Sequence, residues 1–163
     1  TELDLRRRTE DTRFLPQNQN VLCLSPHPDD DVICCGATLL KLAQRSNNLT
    51  VAYGVSGSRA VRDKDVLALL RARHPRLVSY VEEVAPPGQS FEDVFKEIRL
   101  FLFEREAGQP DSDLLRNLKR LVREGEASDA CRKMGARPQF WRLPFYEQNR
   151  DGKRELFERA DVE

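Results

Sequence analysis

The residues best suited to chemistry stand close together in LCLSPHPDDDVICCG, at residues 22–36. A histidine lies between two prolines, three consecutive aspartates follow, and a small-residue helical pattern then begins. His27 and Asp30 are three residues apart in a turn before a helix, so an imidazole and a carboxylate can converge on one cation, while Asp29 points towards what that cation binds. Nitrogen and oxygen donors of this kind suit Zn²⁺, whose charge would offset the crowded carboxylates.

Helix capping is the structural alternative for the same aspartates. Asp is favoured immediately before a helix, and an acidic first turn complements the helix dipole. One aspartate would be enough to cap the helix, so three aspartates and a histidine between prolines are more than capping requires. Among the three, Asp31 is predicted to be the aspartate with a structural role. A magnesium site stays open as an alternative, whereas a phosphate site is disfavoured because phosphate loops are glycine-rich and basic.

Two apolar runs and a helix must position these residues. Residues 21–24 predict a buried strand, GATLLKLAQRSNN predicts a helix from Gly36 to an Asn pair, and LTVAYGVSG at 49–57 predicts a second strand. Residues 21–57 then form one βαβ unit with parallel strands and a right-handed crossover. Ligands of such sheets bind beyond the carboxyl ends of the strands, which is where His27 follows the first strand.

The rest of the pattern is mainly helical. Three or four helices are predicted between about Asp63 and Gly135, which closes the last of them. Ser90, three residues before Asp93, resembles a capping box. QFWRLPF at 139–145 predicts a third strand. The helix breaks are expected at His74-Pro75, at Pro86-Pro87-Gly88 and at Gln109-Pro110.

Composition limits the class of protein. A chain of 163 residues suits one domain with a real core, and 27 Lys+Arg against 27 Asp+Glu gives no support for binding nucleic acid or an anionic membrane. Residues 1–19 are polar without apolar periodicity and are predicted to be a tail or linker, with the domain over residues 20–163. Four cysteines without a CxxC pair, and no signal peptide or long apolar span, predict a cytoplasmic protein without a membrane span.

The stretch SPHPDDDVICCGATLLKLA resembles the HPDD signature of the PIG-L/LmbE family of zinc-dependent N-deacetylases. VAYGVSG is similar to the family's second strand and its loop, and LVREGEASDACRKMGARPQFWRLPFYE to its Arg-x-x-Glu helix and third strand. The resemblance implies an α/β, Rossmann-like (LmbE-like) three-layer fold with a mostly parallel sheet. It also implies a hydrolase of amino sugar metabolism that removes an acetyl group from an N-acetylglucosamine-type sugar with metal-activated water.

The resemblance further implies a catalytic centre in which His27 and Asp30 ligate Zn²⁺ and Asp29 is the general base. The family's usual third ligand comes from a later histidine motif, and this chain has no histidine after His74. His74 lies in a helical region that the family pattern does not place at the metal. Glu147 stands where the family usually has an aspartate and is a weak substitute.

Substrate contacts are implied on two other segments. Arg123 matches the Arg of the Arg-x-x-Glu motif, which contacts sugar hydroxyls, and Glu126 shares its helix face and can orient the guanidinium. The helix pattern alone would treat Arg123 as a solvated cation like its neighbour Lys119. Ser56 and Gly57, in the loop after the second strand, are expected to bind the substrate as well.

Three further features resemble one branch of the family. Asp31 in place of Glu, VSGS after the second strand and the ending LPFYE resemble the branch fused behind a glucosamine-6-phosphate deaminase-like domain in some bacteria. An upstream deaminase-like domain is therefore expected, together with a sheet truncated at the C-terminus, because Glu163 falls within the predicted helix KRELFERADVE. An open sheet edge favours pairing into a homo-oligomer. The alternatives are part of a glucosamine-6-phosphate deaminase-type protein and a non-catalytic, metal-poor binding module.

Overall fold

The computed structural model describes residues 15–144, which form two compact units. The sheet unit contains the described residues up to Gly54 together with Glu126–Trp141, and the helical unit contains Val55–Gly125 and the described residues from Arg142 onwards. Each unit is a separate compact body. The predictions for Glu147 and for the helix KRELFERADVE lie outside the described residues.

The order of strands and helices follows the predicted order. The first strand, helix and second strand come first, a run of helices follows, and a third strand closes the described chain. In chain order the elements are β1 (Asn20–Ser25), α1 (Asp30–Gln44), β2 (Asn48–Tyr53), a short 3₁₀ helix (Ser58–Ala60), α2 (Asp63–Arg71), α3 (Pro75–Val84), α4 (Phe91–Glu104), α5 (Asp113–Met134) and β3 (Ala136–Phe140).

The sheet unit is built on parallel strands. In the described chain, β2 lies between β1 and β3 and pairs in parallel with both. A parallel pair needs a crossover connection, and α1 supplies it between β1 and β2. The predicted βαβ unit is therefore confirmed. Its core lies on one face of β2, against α1 and the last turns of α5, and contains Leu39, Leu42, Leu49, Val51, Tyr53, Ala127, Cys131, Met134 and Ala136.

The helical unit has a core of its own. Helices α2 to α5 are separated at the predicted proline-containing breaks, and the capping box of Ser90 and Asp93 at the start of α4 is present. The apolar positions recur at helical spacing and are buried together, as expected for amphipathic helices. The core contains Val61, Val66, Leu70, Leu77, Val81, Phe91, Val94, Ile98, Leu115 and Leu118.

One lysine of the helical unit differs from the prediction. Lys119, expected to be solvated, is only 6% exposed. Its Nζ lies 2.7 Å from carboxylate oxygens of Asp63 and Asp111, and Arg105 pairs with the same two carboxylates. A cation can be buried in this way because two carboxylates compensate for the loss of water. Lys119 is therefore the buried member of an ion-pair network whose other side chains are partly exposed.

Three predicted boundaries are corrected. Helix α1 begins at Asp30 instead of Gly36, and β2 ends at Tyr53 instead of continuing to residue 57. The third strand is ARPQF instead of QFWRLPF, because it pairs with β2 directly after Gly135 ends α5 with a φ of +71°. A proline is tolerated in this strand because β3 has only β2 as a partner among the described strands.

Candidate metal and catalytic site

The loop of residues 26–29 joins the carboxyl end of β1 to α1, and it brings His27 and Asp30 together. The imidazole Nδ1 of His27 lies 3.1 Å from Oδ2 of Asp30, and the His27 backbone N–H donates to the same oxygen at 3.1 Å. The side chains of His27 and Asp30 are 42% and 37% exposed. A solvent cation can therefore reach a nitrogen and an oxygen donor that are already adjacent.

Asp29 is the N-cap residue of α1, but its side chain makes no capping hydrogen bond to the helix. Its backbone carbonyl accepts from the N–H groups of Val32 and Ile33, both at 3.0 Å. Side-chain capping, the structural alternative for this aspartate, therefore does not account for its carboxylate. The residue lies between the two candidate metal ligands in the chain and is half-buried.

Asp31 has the buried environment expected of the structural aspartate, with 2% of its surface exposed. Its Oδ2 accepts a hydrogen bond from the Tyr53 hydroxyl at 3.0 Å, and its backbone N–H donates to Ser25 Oγ at 3.1 Å. The three consecutive aspartates thus occupy different environments, because the first turn of α1 directs Asp31 into the core and leaves Asp30 accessible.

Sequence reasoning missed two residues beneath the loop. Ser25 and Tyr53 end β1 and β2, are paired in the parallel register, and are 3% and 1% exposed. The Ser25 hydroxyl donates to the carbonyl of His27 at 2.7 Å and accepts from the N–H of Asp31. The available signal was a polar residue at the end of each apolar strand, at the edge where ligands of parallel sheets bind.

The surroundings of Tyr53 keep its hydroxyl neutral. Burial raises the pKa of Tyr53 well above its usual range, and the neighbouring Cys131 and Asp31 act in the same direction. The ring stacks on Phe140 with centroids 5.2 Å apart, and Cys131 Sγ lies 3.3 Å from the hydroxyl. Because deprotonation is disfavoured, Tyr53 remains a hydrogen-bond donor to Asp31.

The residues predicted to contact substrate lie in the helical unit. Ser56 is buried, and its Oγ accepts a hydrogen bond from the N–H of Ser58 at 3.1 Å. Gly57 has a φ of +65°, a conformation that favours glycine, and it precedes the 3₁₀ helix. Arg123 is half-buried on α5. His27, Asp29 and Asp30, by contrast, belong to the sheet unit.

The donor set for a metal is partial. Within residues 15–144, no group of three or more His, Cys, Asp or Glu side chains could hold a metal ion. His27 and Asp30 fit two of the three protein ligands that catalytic zinc sites typically use. His74 is the exposed N-cap residue of α3 in the helical unit.

A parallel sheet with an acidic, imidazole-containing loop at its carboxyl edge is typical of α/β proteins that bind ligands at the strand ends. Residues 22–161 match the PIG-L family, described as GlcNAc-PI de-N-acetylase, and the chain belongs to this family. The resemblance found in the sequence and the Rossmann-like, LmbE-like α/β fold class are thereby confirmed. The family is one of metal-dependent deacetylases that act on GlcNAc-containing substrates.

A curated relative agrees with the expected branch. The chain is 36% identical over 159 residues to a glucosamine-6-phosphate deaminase-like protein of Bacteroides thetaiotaomicron, and the match covers 93% of this chain and 23% of the relative. The chain thus spans less than a quarter of that protein's length. No solved structure matches the chain. In residues 15–144, no helix has both the length and the apolar character needed to cross a membrane.

Proposed function

We propose that this protein is a zinc-dependent de-N-acetylase that hydrolyses the acetamide of an N-acetylglucosamine-type sugar. The observation that carries the proposal is the convergence of His27 Nδ1 and Asp30 Oδ2 at the carboxyl edge of the sheet. Membership of the PIG-L family supports the reaction, and the carboxylate of Asp29, which does not cap α1, supports its role as the general base.

In the proposed mechanism, His27 and Asp30 would hold Zn²⁺, and the bound ion would supply Lewis-acid chemistry that lowers the pKa of water and polarises a carbonyl group. Asp29 takes a proton from the attacking water and returns it to the departing nitrogen, as a general base and then a general acid. The amide C–N bond breaks, and acetate and a free amine are the products.

The substrate is proposed to contact Arg123, Ser56 and Gly57. A guanidinium presents several donors in a rigid plane, which suits neighbouring sugar hydroxyls. The partly buried position of Arg123 supports this role, because a half-buried planar group has fewer orientations than one in solvent. The positive φ of Gly57 forms a tight turn after β2, on the segment that leaves the sheet's carboxyl edge.

The test is a product assay on the purified protein supplied with Zn²⁺. Three compounds serve as substrates: N-acetylglucosamine, its 6-phosphate and GlcNAc-phosphatidylinositol. Acetate and free amine should appear in equal amounts from at least one of them, and a chelator should stop the reaction. The absence of acetate from all three, with zinc bound, would contradict the proposed function.

Deamination is a second candidate because the Bacteroides relative is named for it. That reaction releases ammonia instead of acetate, so the same assay distinguishes the two activities. The match occupies only 23% of the relative, and residues 22–161 of this chain belong to the de-N-acetylase family. We therefore propose that the deaminase-like part is a separate domain, fused upstream of the deacetylase domain. A metal-poor binding module would bind the sugars and release neither product.

The remaining proposals concern organisation and location. Residues 1–19 are proposed to be a polar tail or linker, and residues 20–163 the deacetylase domain. The exposed side chains of Leu22 and Leu24 on β1 support a homo-oligomer. The four cysteines are free thiols, which supports a cytoplasmic location because disulfides are rare in that compartment.

A further inference from the structure

We infer that Ser25 is a positioning residue that fixes the metal-binding loop; this rests on the proposed function, in which the loop holds Zn²⁺. The Ser25 hydroxyl donates to the carbonyl of His27 at 2.7 Å and accepts from the N–H of Asp31 at 3.1 Å. One side chain thus binds the backbone on both sides of Asp29 and Asp30. With 3% of its surface exposed, Ser25 makes these bonds away from competing solvent.

A hydroxyl is the group that can make both contacts, since it is a donor and an acceptor at once. The N–H of Asp31 is one of the first-turn donors of α1 that have no partner within the helix. Asp29, the N-cap residue, does not take such a donor with its side chain. Ser25, five residues before α1 begins, therefore accepts the kind of hydrogen bond that the side chain of an N-cap residue usually accepts.

A second hydroxyl holds the same helical turn. Tyr53 is the register partner of Ser25 on β2, and its hydroxyl donates to Oδ2 of Asp31 at 3.0 Å. Oδ1 of Asp31 is buried and accepts no hydrogen bond from the described residues. Asp31 is therefore attached through its backbone to Ser25 and through its side chain to Tyr53. The loop is fixed to the ends of two neighbouring strands.

The functional consequence is preorganisation of the ligands. Asp30 lies between Asp29 and the anchored Asp31, and the carbonyl of His27 is held by Ser25. Little further ordering is then needed for His27 and Asp30 to meet one cation, which improves affinity without adding a contact to that cation. Groups that orient metal ligands in this way typically change metal affinity by about 10–100-fold when removed.

The experiment compares Ser25→Ala and Ser25→Thr in the full chain with Ser58→Ala as a matched control. Ser58 is also 3% exposed and lies in the helical unit, so the control removes an equally buried hydroxyl. Two quantities are measured: the affinity for Zn²⁺ alone, by competition with a chromophoric chelator, and the hydrogen-exchange rate of the Asp31 amide. Circular dichroism checks that each variant is folded.

Ser25→Ala should weaken zinc binding by about 10-fold or more and accelerate exchange of the Asp31 amide, while Ser25→Thr, which keeps the hydroxyl, stays close to the wild type. Ser58→Ala should leave the zinc affinity unchanged. If Ser25→Ala does not fold, Ser25→Val takes its place and is compared with Ser25→Thr, because valine has the shape of threonine without the hydroxyl.

Unchanged zinc affinity and unchanged Asp31 exchange in the folded variant would overturn the inference, as would an equal loss of zinc affinity in Ser58→Ala. Failure of the wild type to bind zinc would instead count against the proposed function. The exchange rate then still decides whether Ser25 fixes the loop, because it needs no metal.

Discussion

Oδ2 of Asp30 lies 3.1 Å from the imidazole Nδ1 of His27 and 3.1 Å from the backbone nitrogen of the same residue. Both residues lie in the short segment that joins β1 to the first turn of α1. The two side chains that the sequence pattern selects as metal ligands are therefore adjacent in the fold. Because both remain partly exposed, a metal can replace their mutual hydrogen bond.

The first prediction concerns the metal. His27→Ala should abolish zinc binding, and the wild type should bind Zn²⁺ in preference to Mg²⁺, because an imidazole ligand favours zinc. Metal analysis after dialysis measures both. His74→Ala is the control, since it removes the other histidine of the chain from an exposed position. Zinc retained by His27→Ala, or lost from His74→Ala, would show that the ligand is wrongly assigned.

The second prediction separates two neighbouring carboxylates. Asp29→Asn should keep zinc but lower kcat by about 10²–10⁴-fold, because it removes the general base. Asp30→Asn should lose zinc, because it removes a ligand. Zinc content and steady-state kinetics are measured on the same preparations. Equal loss of zinc from both variants would mean that Asp29 is also a ligand and that the base lies elsewhere.

The third prediction concerns Arg123. Arg123→Lys should raise KM for an N-acetylglucosamine substrate and leave zinc content unchanged, since lysine keeps the charge but loses the planar donor arrangement. Arg132→Lys is the control on the same helix, because Arg132 is exposed and pairs with Asp129 at the surface. Kinetics identical to the wild type in Arg123→Lys would remove Arg123 from the substrate site.

The fourth prediction tests the ion-pair network of the helical unit. Lys119→Met should lower the free energy of unfolding by about 3 kcal/mol, because it leaves Asp63 and Asp111 to share the guanidinium of Arg105. Arg132→Met, which breaks an exposed pair, should cost less than about 0.5 kcal/mol. Urea denaturation measures both. Equal effects of the two substitutions would contradict the buried position of Lys119.

The fifth prediction concerns alkaline pH. Burial, together with Cys35 Sγ at 3.7 Å, raises the pKa of Cys23 from 9.0 to about 11. Between pH 9 and 11 the folded chain holds a proton on Cys23 that the unfolded chain has lost. The contribution of Cys23 to stability is therefore complete below pH 9 and declines as the pH rises to 11. The difference in unfolding free energy between wild type and Cys23→Ala should therefore narrow over this range in reducing buffer. A difference in unfolding free energy that stays constant from pH 9 to 11 would contradict the raised pKa of Cys23.

The elements around the loop were predictable because their patterns are local. β1 and β2 are short apolar runs, and the breaks between helices coincide with prolines that cannot continue a helix. β3 was misplaced because QFWRLPF is more apolar than ARPQF, and the observed strand depends on parallel pairing with β2. Strand formation there depends on pairing with β2, which is distant in the sequence. Local propensity does not reveal that pairing.

The candidate ligands were predictable from the sequence, whereas the hydrogen bonds that hold their loop in place were not. His27 and Asp30 stand out as unusual residue types at a spacing that suits a cation. Ser25 and Tyr53 are ordinary residues at strand ends, and their importance comes from the register that pairs them and points both hydroxyls at Asp31. Such a relationship exists only once the two strands are aligned.

The most direct measurement of the central claim is a crystal structure of the zinc-loaded protein with anomalous diffraction at the zinc edge. A single zinc peak should lie about 2.0–2.2 Å from an imidazole nitrogen of His27 and from a carboxylate oxygen of Asp30, with Asp29 outside bonding distance. A zinc peak bound to other residues, or no peak at this loop when zinc is bound in solution, would contradict the account.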